Sequence, residues 1–215
     1  SILGNLGAYK AYAVDCSYPH CYAQESNEVT NWGNEFNTIV NSMTLSNYCN
    51  YLADIEQWVN LPNGDWMEIG YTDGTFNGQC LDNNHEITYH AAQINGVYNQ
   101  YNDGSVTAGS QEFYNLNDAN KDQIWDVNWN GNVVAHISVP YSSAIGQIVG
   151  EETSDANAGI PQTHLWDISM LTGSGWQYWI GGNFYQNNPP LWIINCTPAY
   201  QHVHVGSNLY SSSCP

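Results

Sequence analysis

Residues 124–129 read Ile-Trp-Asp-Val-Asn-Trp, Asn130-Gly131 follow, and residues 133–139 read Val-Val-Ala-His-Ile-Ser-Val. In both runs apolar side chains alternate with polar ones. They are joined by the dipeptide that best accepts the left-handed backbone of a tight hairpin turn, so the stretch predicts two antiparallel strands. The same pattern recurs outward from it. Trp66–Tyr71 and Glu86–Ile94 read as strands, the second closed by Asn95-Gly96, and Ser105–Leu116 follows the turn signal Asn102-Asp103-Gly104. Ala144–Glu152, Thr163–Leu171, Gly175–Ile180, Leu191–Cys196 and Gln201–Val205 continue the series, and Thr30–Leu45 alternates loosely. About ten strands separated by frequent turn signals predict an all-β fold, an antiparallel β-sandwich of the jelly-roll or concanavalin-like kind. The expected organisation is a single domain over 1–215, with residues 1–30 a candidate N-terminal extension. The strongest helix signal is Cys49–Asn60, where Leu52, Ile55, Trp58 and Val59 are spaced near 3.6; a loop with one helical turn fits it equally.

Composition narrows the function. The 215 residues hold 2 Lys, no Arg and 20 Asp plus Glu, for a formal charge of -18. Charged residues make up 10%, against about 25% in an ordinary domain, so the imbalance comes from missing bases. Nucleic acid and anionic membrane surfaces, both of which need clustered Lys and Arg, are excluded as partners. No apolar run reaches the roughly 20 residues of a membrane helix. Full protonation would leave a charge of only roughly +10, which caps self-repulsion in acid. That fits a protein adapted to low pH, or equally an acidic secreted surface kept soluble by its charge. The six cysteines, at 16, 21, 49, 80, 196 and 214, suggest disulfides and an extracellular compartment. Pairing neighbours along the chain gives Cys16–Cys21, Cys49–Cys80 and Cys196–Cys214. The start at Ser1 without Met is compatible with removal of a signal or pro-segment.

Familiar catalytic motifs are missing: there is no G-x-S-x-G and no H-E-x-x-H. Asp73-Gly74-Thr75 reads as a hairpin turn. Asp118-Ala-Asn120-Lys-Asp122 begins like a calcium loop but has Gln123 and Trp129 where Gly and Glu belong; it reads as a solvated loop. His202-x-His204 places two imidazoles on one strand face with no third ligand nearby in sequence, and reads as surface histidine. No metal and no cofactor are expected.

Two glutamates stand out instead, because acidic residues are depleted inside strands. In Trp66-Met-Glu68-Ile-Gly70-Tyr71 alternation puts Glu68 beside Trp66 and Gly70, opposite Met67, Ile69 and Tyr71. In Ala144–Glu152, Glu151 shares a face with Gln147 and Val149, while Glu152 falls on the other with Gly146, Ile148 and Gly150.

These residues resemble the glutamic peptidases. WMEIGYTDG (66–74), followed by Cys80 and by Ile87–Gln93, is similar to their central strands. The eqolisin branch has a catalytic Gln in such an apolar-Gln-x-Gly setting, and the neprosin-like branch has Glu, as Glu68-Ile69-Gly70 does. Gly146–Glu151 resembles the eqolisin strand that ends in the second catalytic Glu, with Gln147 replacing an acid, and Gly150-Glu151 resembles the Gly-Gly-Glu of neprosins. Asn31-Trp32-Gly33 is similar to a cleft-lining eqolisin segment, and Cys49 and Cys80 flank the first motif as a pair often does in the family. The resemblance spans about residues 30–152. It implies a secreted, monomeric, acid-active endopeptidase acting on peptide or protein substrates, with Glu151 as base and Glu68 as oxyanion partner, and with Glu152 competing for the place of Glu151. Trp32, Trp66, Tyr71, Tyr89 and Gln93 are candidates for holding an extended peptide. The alternatives are a lectin-like sandwich binding sugars on aromatics such as Trp176, Tyr178 and Trp179, and a glycoside hydrolase using the same carboxylates.

Overall fold

The structure, a computed structural model, describes residues 12–13 (backbone only), 20–82, 85–187, 189–207, 210 and 214. In chain order the strands are β1 (Tyr12–Ala13), β2 (Cys21–Asn27), β3 (Gly33–Ile39), β4 (Leu52–Asn60), β5 (Trp66–Phe76), β6 (Gln79–Cys80), β7 (Ile87–Ile94), β8 (Val97–Ser105), β9 (Gln111–Asn117), β10 (Ile124–Trp129), β11 (Asn132–Ser138), β12 (Gly146–Thr153), β13 (Thr163–Thr172), β14 (Gly175–Tyr178), β15 (Asn183–Gln186), β16 (Leu191–Asn195) and β17 (His202–Ser207). No helix occurs among the described residues.

The strands form two sheets, in the orders β1-β15-β2-β12-β4-β5-β7-β8, with β6 beside β5, and β11-β10-β9-β3-β13-β17-β16, with β14 beside β13. Every pairing is antiparallel except the short β1–β15 contact. The sheets stack as a sandwich. One core joins Ile55, Val59, Met67, Ile69 and Val149 of the first sheet to Phe36, Tyr114, Leu116, Leu165, Val203 and Val205 of the second. Fully burying each such side chain contributes about 1.5–3 kcal/mol, which is why one face of every long strand is apolar. β2, within the candidate N-terminal extension, lies between β15 and β12 and supplies Ala23 to that core.

The Asn95-Gly96 and Asn130-Gly131 turns form as read, each with both residues at positive φ. Several local readings are corrected. The helix signal at 49–60 is β4. Its true period is two: Ala53, Ile55, Gln57 and Val59 face the core, while Asp54, Glu56, Trp58 and Asn60 face outward, and the chance placement of Leu52 and Trp58 imitated a helical stripe. Asp73-Gly74-Thr75 is not a turn but continues β5, and the chain reverses at Asn77-Gly78 instead (φ 50° and 74°). Likewise Asn102-Asp103-Gly104 lies inside β8, and the expected strand 105–116 is divided between the end of β8 and β9. The expected Cys49–Cys80 and Cys196–Cys214 disulfides are both present. The expected Cys16–Cys21 link involves Cys16, outside the described residues.

Candidate active site

The outer face of the first sheet is hollow, and its glycines explain the hollow. The strand register lines up Gln24 (β2), Gly150 (β12), Glu56 (β4), Gly70 (β5) and Tyr89 (β7) in one row across the sheet. A Cβ at Gly70 would lie 2.6 Å from the Glu56 Cα, and one at Gly150 would lie 2.7 Å from the Gln24 Cα. Only glycine allows strands to close in on each other this way on their outward side. The result is a groove of about 510 Å³ lined by Tyr22, Gln24, Trp58, Trp66, Gln93 and Tyr98, among others.

Acids occupy its floor. Alternation along β4 sends Asp54 and Glu56 outward, and alternation along β5 sends Glu68 outward between Trp66 and Gly70. Trp58, opposite Glu68 in the register, shares its row. Asp54 and Glu68 line the groove, and Glu56 lies between their rows. All three carboxyl groups are nearly buried. Tyr98 donates its hydroxyl to Glu68 Oε1 (3.3 Å), and Tyr89 donates its hydroxyl to Glu56 Oε2. Burial raises Glu68 to about 8, with the Asp54 charge adding to it and hydrogen bonds from Tyr98, Trp58 and Tyr89 opposing it. Burial raises Asp54 to about 7, Thr72 opposing and Asp73 adding. Glu56 is raised well above the ordinary carboxylate range, first by burial and then by Glu68 and Asp54. With no Lys or Arg beside them among the described residues, these three acids do not all ionise near neutrality and they titrate as a coupled set. At the rim His20 Nδ1 meets Glu152 Oε1.

The sequence-derived pair is not brought together. Glu68 faces the groove as expected. Glu151 points the other way, into the space between the sheets, where Gly206 N–H donates to its Oε1 (3.1 Å) and burial raises its pKa well above the ordinary range. The reason is the strand phase: Ile148 pairs with Trp58, which pairs with Glu68, so Ile148, Gly150 and Glu152 share Glu68's face and Glu151 cannot. The competing residue, Glu152, is the one that lines the groove. Among the expected peptide-binding residues, Trp66 and Gln93 line the groove, with Trp66 packed on Tyr98 at 5.5 Å between ring centres. Tyr89 lies beneath it on Glu56. Tyr71 is in the core, its hydroxyl accepting from Asn41 N–H (3.3 Å), because it has the phase of Met67 and Ile69. Trp32 sits outside the groove, leading into β3 of the other sheet with the Lys121 ammonium 3.9 Å over its ring.

Asp54, Glu56, Trp58 and Tyr98 were missed. The alternation of Ala53-Asp54-Ile55-Glu56-Gln57-Trp58 held the signal, but it was hidden by the helical reading. The Asp118 loop is used locally: its carboxylate accepts from Asp122 N–H (3.0 Å) and Gln123 N–H (2.9 Å).

No family model and no curated protein matches the sequence. Solved structures do match in shape. A scytalidoglutamic peptidase with a peptide-based transition-state analogue superposes with a TM-score of 0.58 at 8% identity. The same enzyme with a transition-state analogue inhibitor gives 0.57 at 9%. SCP-B, a member of the eqolisin family in complex with the tripeptide Ala-Ile-His, gives 0.52 at 9%. Each alignment covers 89% of this chain and 98% of the other. The chain thus shares the fold of the glutamic peptidases and very little of their sequence.

Proposed function

We propose that the protein is a peptidase that hydrolyses peptide bonds with the carboxyl groups on the floor of this groove. The observation that carries the reading is the cluster of Asp54, Glu56 and Glu68, held on adjacent strands beneath an aromatic- and amide-lined hollow. The pair expected from sequence is replaced: Glu68 keeps a role, and the partner is Asp54 rather than Glu151. Asp54 is assigned as the ionised member and takes a proton from a water attacking the scissile carbonyl. Glu68, still protonated, donates to the developing oxyanion and then to the departing nitrogen. Glu56 lies between their rows and, buried and facing their charges, holds its own proton, so it adds no further negative charge to the floor. Trp58, Trp66 and Tyr98 offer flat apolar surface to the substrate's side chains, and Gln93 and Gln100 offer amides to its backbone. The two disulfides are consistent with an oxidising, extracellular setting for this work.

The pH dependence follows from the same residues. The productive state has Asp54 ionised and Glu68 protonated. With Asp54 at about 7 and Glu68 at about 8, that state is most populated close to neutrality. Burial therefore moves the optimum up from the strongly acidic one implied by composition and resemblance. The test is digestion of denatured casein across pH 3–9 by the wild type, Asp54→Asn and Glu68→Leu. The reading expects a bell-shaped profile and a loss of at least about a hundredfold in each variant. Wild-type rates in both variants would end it. Glu68→Gln is less decisive, since an amide can still donate to the oxyanion.

A second reading, oligosaccharide binding, is favoured by one feature: Trp176 and Tyr178 stand exposed two residues apart on β14, a surface on which a sugar ring can stack.

A further inference from the structure

The outer face of the second sheet carries a group of side chains that the groove does not use. Val203, Val205 and Leu165 point into the core, so His202 and His204 on β17 and His164 on β13 point outward. The register pairs His164 with His204 and Trp166 with His202. The third imidazole that the His202-x-His204 motif lacked in sequence is therefore supplied by the neighbouring strand. His164 Nε2 and His202 Nδ1 are 3.1 Å apart. The His204 ring stacks on His164 at 4.4 Å, nearly parallel at 7°, and its Nδ1 faces Gln162 Nε2 at 3.0 Å.

Two nitrogens each about 2.0–2.1 Å from one ion lie about 2.9 Å apart at a right angle and about 3.4 Å apart at the tetrahedral angle. The His164–His202 separation falls inside that interval, so a cation can take the place of the proton the two rings share after a small rotation of each. We propose that His164 and His202 chelate a divalent transition-metal ion of the borderline class, Zn²⁺ or Cu²⁺, with water completing the coordination and His204 as the adjoining imidazole. Among the described residues no three His, Cys, Asp or Glu side chains already converge as a metal centre, so the site is a two-nitrogen one. A further feature favours it. The chain's charge of -18 with 2 basic side chains draws cations in and leaves few positive groups to repel them.

The test is titration of the full chain at pH 7.5 with ZnCl₂ and CuCl₂ by calorimetry, beside His164→Gln, His202→Gln and, as a control on another strand pair, His136→Gln. The expected result is one cation per chain, with affinity lowered at least about tenfold in His164→Gln and His202→Gln and unchanged in His136→Gln. Glu68→Gln should bind as the wild type does, which separates this site from the groove acids. The electron paramagnetic resonance of the wild type with Cu²⁺ should show coupling to two imidazole nitrogens. Coupling to fewer than two, or equal affinity in all the histidine variants, would overturn the proposal.

Discussion

Glu151 and Glu152 are neighbours in sequence and belong to different worlds. Glu152 opens on the groove with His20. Glu151 is sealed between the sheets, its Oε2 without a hydrogen-bond partner among the described residues. Glu25 repeats the sealed case on β2: among the described residues neither carboxyl oxygen has a partner, and burial raises it to about 9. The groove acids and the interior acids are both pushed toward the protonated form, by the same cause. What separates them is company and access. Asp54, Glu56 and Glu68 sense one another, and Asp54 and Glu68 line the groove. Glu25 and Glu151 sense almost nothing but the loss of water. A raised pKa alone therefore does not mark a catalytic acid here, and the two populations should answer to different experiments.

The largest separation is expected in rate. Asp54→Asn should lower kcat/KM for a peptide by at least about a hundredfold, while Glu151→Gln, which keeps an acceptor for Gly206 N–H, should cleave as the wild type does. The reverse order would exchange the roles of the two faces.

The next concerns stability, in which both populations act together. A carboxyl whose folded pKa is raised holds its proton more tightly folded than unfolded. Its contribution is intact below the ordinary carboxylate range near 4 and is lost as pH rises toward its folded value. For Asp54 and Asp73 that value is about 7, for Glu68 about 8 and for Glu25 about 9. Thermal unfolding followed by circular dichroism should therefore give a Tm that falls by at least about 10 °C between pH 4 and pH 9. A Tm that rises over that range would show that these acids ionise freely in the fold.

A smaller effect isolates one interior acid. Glu25→Gln removes the titration but keeps the shape, and should stabilise the protein by about 4–5 kcal/mol at pH 8 with little change at pH 3. Chemical denaturation at the two pH values measures both. The smallest effect belongs to the groove: Tyr98→Phe deletes the hydroxyl donated to Glu68, and with it about 1 kcal/mol. Its signature is an alkaline limb of the pH–rate profile shifted upward by about half a unit, since the hydroxyl stabilises ionised Glu68.

Much of this could be read in the chain before any coordinates. The Asn-Gly turns announced the hairpins because few dipeptides take that backbone without strain. Glu68 was legible because Met67, Ile69 and Tyr71 fixed the phase of its strand unambiguously. Asp54 and Glu56 were not, because Gln57 occupies a core position and Trp58 a groove position, which blurs the alternation of β4. The choice between Glu151 and Glu152 had to wait for the register, since both faces of β12 are buried, one against the core and the other beneath the groove. The third histidine was invisible for a similar reason: a partner across a sheet has no fixed distance in sequence.

The glycines at 70 and 150 leave one consequence. They let β4 and β5, and β12 and β2, approach more closely than a side chain permits. Adding a single methyl group at position 70 would push β5 off β4, moving Asp54 and Glu68 relative to each other while leaving every ionisable group in place. The layout of the groove acids thus leans on residues that have no side chain at all.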